Sequence, residues 1–151
     1  MQFLTRTLPS FLVSWLLTFT LASLFHSQYV VNQLVNVDVE IALSDRINLT
    51  LADWLGLLPT YGAIIAIALA IAFTVAQWFA KKHPNLRSPL FIVAGLTAFS
   101  VVLIAIESIM NIHIIAGARG WGFYTQLLAG AVGGYVFSVI TQRTLKKGAE
   151  Y

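Results

Sequence analysis

Apolar residues along this chain fall into four long stretches separated by short polar segments. The stretches run from about Leu8 to Val31, Pro59 to Phe79, Pro89 to Ile112 and Trp121 to Thr141. A helix needs about 20 mostly apolar residues to cross a bilayer, so each predicts a transmembrane helix. Ser88-Pro89 reads as an N-cap followed by proline at the first helical position, where the missing N–H costs nothing. The pattern predicts an all-α membrane protein: one domain, a four-transmembrane-helix bundle.

Between the first two spans the period changes. Val35, Val37, Val39, Ile41 and Leu43 alternate with Asn36, Asp38, Glu40 and Ser44, and after Ser44-Asp45-Arg46 the alternation resumes at Ile47, Leu49 and Leu51. Period two with a polar break predicts a β-hairpin in the loop from about 32 to 58. A lone hairpin is marginal in water, so its apolar face needs the bundle top or a partner to cover it. Thr50 with Asp53 resembles a capping box and predicts a short interfacial helix, Leu51 to Leu58, anchored by Trp54.

Charge sets the orientation. Arg6, Lys81, Lys82, Arg87, Arg143, Lys146 and Lys147 lie on one side of the spans, against Arg46 and Arg119 on the other. Short loops rich in Lys and Arg stay cytoplasmic, which predicts both termini inside, the hairpin loop outside, and a bacterial inner membrane as the location. Tyr29, Trp54, Tyr61 and Trp121 are then expected in the outer aromatic belt and Trp78 in the inner one. The first span could be a secretory signal, but Phe25-His26-Ser27 is a poor cleavage site.

Composition agrees: 58% hydrophobic, 10% charged, mean hydropathy +0.81 over 151 residues. The net charge of +3 therefore reads as topology and not as a nucleic-acid signal. The absence of cysteine excludes disulfides, thiolate metal sites and cysteine nucleophiles. G-x-S-x-G, H-E-x-x-H and C-x-x-C are all missing. No cofactor is expected.

The candidate chemistry gathers near the outer leaflet. Glu107 is the one acid placed inside a span, and Asn111 follows four residues later. In the next span Gln126 is expected at the depth of Glu107, with Arg119 able to reach down toward it. Intramembrane charges are expensive and usually pair, so Glu107, Asn111, Arg119 and Gln126 form a predicted polar cluster. His26 and His113, with Glu107, have the residue types of a metal site, and two histidines could hold a haem; neither has a fixed ligand spacing. Gly130 and Gly134 form a GxxxG motif, and Ala68, Ala72 and Ala76 repeat at the same interval, both suited to close helix packing, span two against span four being one arrangement.

Three functions fit these residues. The first is a structural or interaction subunit, or modulator, of a membrane complex, its partners being the lipid bilayer and a second copy or another membrane protein. The second is a small oligomeric transporter or channel using Glu107. The third is a metal- or haem-binding membrane protein using His26 and His113.

Overall fold

The computed structural model describes residues 2–38, 40–110 and 120–147. They form α1 (Gln2–Val35), α2 (Leu43–Leu57), a π-helical turn (Leu58–Gly62), α3 (Ala63–Lys82), a 3-10 turn (Pro84–Leu86), α4 (Arg87–Met110) and α5 (Trp121–Lys147). Four helical stretches, Thr7–Val35, Leu43–Lys82, Pro84–Ser108 and Trp121–Thr144, are long and apolar enough to cross a membrane. By length and composition, the described residues are those of an all-helical membrane protein.

The predicted β-hairpin is not formed. No strand occurs among the described residues, and Leu43–Leu57 is helical. The alternating run is ambiguous: Leu43, Ile47, Leu51 and Leu55 are also spaced by four, the period of one helix face. As a helix the segment turns Trp54 and Leu57 toward the core, burial that a two-stranded ribbon would not provide. Thr50 is an interior residue and not the start of the helix; its hydroxyl returns to the Arg46 carbonyl at 2.8 Å. α1 ends in a turn closed by Val37 N–H to Leu34 O and Asp38 N–H to Val35 O. Asp38 takes a left-handed φ of 60°, a conformation that aspartate tolerates better than most residues.

The helical run Leu43–Lys82 covers 40 residues, about 60 Å at 1.5 Å per residue. That is twice the roughly 30 Å hydrocarbon thickness. Pro59 and the π turn interrupt its regular ladder, the kind of feature at which long helices bend. The run is antiparallel to α1: Asp53 meets Ser27, Trp54 meets Thr20, and Gly62 meets Trp15. Trp15 Nε1 donates to the Gly62 carbonyl at 2.8 Å.

α5 lies between α1 and α4, and α4 also packs on α3. Glycine permits this. A Cβ on Gly95 would overlap the Gly130 carbonyl, and one on Gly134 would overlap the Phe91 carbonyl, so α4 and α5 touch backbone to backbone. One residue away, Gly133 faces α1, where a Cβ would overlap Thr18 Oγ1. The α5 glycines therefore serve contacts with α4 and α1, whereas Ala68, Ala72 and Ala76 of α3 line a groove beside α4. Such close approach is how helices gain packing where lipid removes the hydrophobic drive.

Toward the end that bears Lys81, Lys82 and Arg87, the core is aromatic. Phe73 stacks on Phe137 with centroids 4.6 Å apart, and Phe91 meets both at 5.6 and 5.1 Å. Arg87 lies over the Phe91 ring at 5.2 Å and donates to Thr141 Oγ1 at 3.1 Å. Ser88, read from sequence as an N-cap, sits inside α4 and pairs its hydroxyl with that of Ser138 at 3.1 Å.

Candidate functional site

α1 carries the polar seam of the bundle. Ser10, Ser14, Thr18, Ser23, His26 and Ser27 are all buried. Ser10, Ser14 and Thr18 follow at intervals of four, His26 lies eight further on, and Ser23 and Ser27 run beside them, so the set shares one side of the helix. Apolar residues at the intervening positions, such as Leu12, Val13 and Leu16, are exposed. The helix thus turns its hydroxyls inward and its aliphatic surface outward, as a lipid-facing helix should.

Each hydroxyl needs an acceptor because no water competes there. Ser14 Oγ donates to the Gly133 carbonyl of α5 at 2.6 Å. Thr18 Oγ1 returns to the Ser14 carbonyl at 2.7 Å. Ser23 is the exception: its Oγ is buried and has no partner.

At the end of the bundle near α2 the seam becomes a network. The fully buried Gln126 donates from Nε2 to the Ala22 carbonyl at 2.9 Å and accepts the Tyr61 hydroxyl at Oε1, 3.0 Å away. One side chain of α5 thereby joins α1 to the turn between α2 and α3. Alongside, Ser27 Oγ donates to Asp53 Oδ2 at 2.8 Å. Trp54 Nε1 donates to Thr20 Oγ1 at 3.2 Å, and its ring lies 5.6 Å from that of Phe19. His26 is buried within electrostatic reach of Asp53.

The sequence-predicted residues scatter around this network. Gln126 is at its centre. Glu107 is exposed near the end of α4. Asn111, His113 and Arg119 lie outside the described residues, so the expected cluster and the two-histidine site both fall partly there. His26 stands with Asp53 and Ser27. Among the described residues, no three His, Cys, Asp or Glu side chains come close enough together to hold a metal ion.

Sequence reasoning missed Tyr61, Asp53 and the α1 hydroxyls. Tyr61 is not turned outward to lipid as a belt aromatic would be: it is 2% exposed and its hydroxyl donates to Gln126. Asp53 does not cap α2 but accepts from α1. The serine spacing in α1 was the available signal, an inward stripe of small hydroxyls in an otherwise aliphatic span. Chemically, the network is a clasp. Its donors and acceptors are mostly used up in joining α1, α2 and α5. No family model, no curated protein and no solved structure matches this chain.

Proposed function

We propose that this chain is a structural or interaction subunit of a membrane complex, docking another integral membrane protein through α2. One observation carries the reading. α2 is clasped to α1 on one side, while Leu43, Ile47, Leu51 and Leu55 are 74%, 54%, 58% and 65% exposed at four-residue spacing. The helical run Leu43–Lys82 is about twice as long as a bilayer needs, and Trp54 lies level with Thr20 within the first span, so it is the Leu43 end of α2 that runs past the hydrocarbon. Lipid then cannot cover the whole stripe. An apolar stripe in that position marks an interaction surface.

The orientation belongs to the same proposal. Both termini lie in the cytoplasm and the Leu43 end of α2 lies outside, in a bacterial inner membrane, in keeping with the basic residues of Lys81–Arg87 and Arg143–Lys147. The test is a photocrosslinking residue at Ile47 or Leu51 in native membranes, with Ile47→Asp and Leu51→Asp as disrupting variants. A single crosslinked membrane protein, lost from native gels in the aspartate variants at unchanged expression, is the expected result. A lone monomer in gently solubilised membranes, with crosslinks to lipid alone, would overturn the reading.

A further inference from the structure

A second feature lies at the opposite, basic end. Below Gly62, α1 and α3 separate and leave a groove of about 530 Å³. Its deep part is apolar, formed by Phe11, Phe73 and Phe137. Along α3 the lining changes in step with depth, from Ala70 through Thr74 and Gln77 to Lys81. These residues lie three or four apart, so they form one face of the helix. Beside them Lys82 holds its ammonium 4.2 Å above the Trp78 ring, an indole placed where interfacial tryptophans sit.

We propose that this groove binds one anionic glycerophospholipid, with an acyl chain against the phenylalanines and the phosphate at Lys81. The polarity gradient of the wall is that of the lipid itself. At roughly 30 Å³ for a water-sized group, the volume suits the methylenes of one acyl chain. Charge complementarity selects the headgroup: five of the six acids, Asp38, Glu40, Asp45, Asp53 and Glu107, belong to the other half of the protein, whereas Lys81, Lys82 and Arg87 cluster at this end. A second copy of the chain would bring a helix, and α1, α3 and α5 carry no acidic residue to match the lysine end.

The test is native mass spectrometry of the purified protein exchanged into phosphatidylglycerol or phosphatidylcholine nanodiscs of matched acyl chains. The expected result is one retained phosphatidylglycerol per protein and little phosphatidylcholine. Lys81→Gln should lower phosphatidylglycerol retention about fivefold, the equivalent of about 1 kcal/mol for one basic residue at a membrane surface. Ala70→Trp, at an exposed position, should fill the groove and reduce retention of both lipids. Arg143→Gln, outside the groove, should change neither. Equal retention of the two lipids, equal effects of Lys81→Gln and Arg143→Gln, or a dimer that excludes lipid would each overturn the proposal. None of these outcomes depends on α2, so the docking reading stands or falls separately.

Discussion

Gln126 and Tyr61, 65 positions apart in the chain, share a buried hydrogen bond of 3.0 Å, and the same Gln126 amide also holds the Ala22 carbonyl. Removing Gln126 leaves the Tyr61 hydroxyl without its acceptor in a dry interior. Gln126→Leu should therefore destabilise the fold by about 1–3 kcal/mol, the cost of an unsatisfied buried group. Tyr61→Phe removes one partner and leaves Gln126 its bond to Ala22, so it should cost less. The double variant should cost less than the sum, because the orphaned hydroxyl is gone. Reversible unfolding in mixed detergent micelles measures all three; strict additivity would mean that the two side chains act independently.

Ser14 and Ser23 lie on the same helix and are both fully buried, but their hydroxyls differ. Ser14 bonds α5, whereas Ser23 Oγ has no partner. Ser14→Ala should lower stability by about 1 kcal/mol, within the range measured for interhelical bonds in membranes. Ser23→Ala should leave stability unchanged or raise it slightly, since it removes a desolvated group that gains nothing. The same unfolding assay reads the contrast. Equal losses for the two variants would show that Ser23 has an acceptor.

Glycine substitutions separate close packing from helix propensity. Gly95→Ala and Gly130→Ala each place a Cβ against facing backbone, which cannot rotate aside. Each should destabilise by about 1–3 kcal/mol, as overpacking does. Gly56, inside α2, has nothing within 4 Å of a Cβ. Gly56→Ala should instead stabilise by up to about 1 kcal/mol through helix propensity. Thermal aggregation midpoints in a single detergent suffice to rank the three.

The spans were legible because lipid demands one property, continuous apolarity over a fixed length, and four stretches have it. The loop was misread because Leu43, Ile47 and Leu51 satisfy period four as well as the alternation did. What decides between the periods is a distant partner, the Phe19 ring under Trp54, and no local pattern contains it. Tyr61 and Asp53 were misassigned for a similar reason. An aromatic near a span boundary suggests a belt, and an acid three residues after threonine suggests a cap, until α1 and α5 supply Ser27 and Gln126. The serines of α1 were visible in the chain, but a stripe of hydroxyls has no direction until a facing helix brings glycine to it.

The helical reading of α2 and its sidedness can be tested together. The chain has no cysteine, so any introduced thiol is the only one. In the helix Ser44, Asn48 and Ala52 are exposed, whereas Arg46 and Thr50 are partly shielded. The expected hairpin would place Asn48, Thr50 and Ala52 on one face, because side chains alternate with period two, and Ser44 and Arg46 in the open turn before them. Single cysteines at these positions should react with a membrane-impermeant maleimide in a four-residue rhythm, fast at 44, 48 and 52 and slower at 46 and 50. Uniform rates would restore the extended ribbon. In intact cells the fast positions should label from outside, while a cysteine replacing His83 should label only after permeabilisation. Labelling of His83→Cys without permeabilisation would invert the proposed topology while leaving the helical assignment intact.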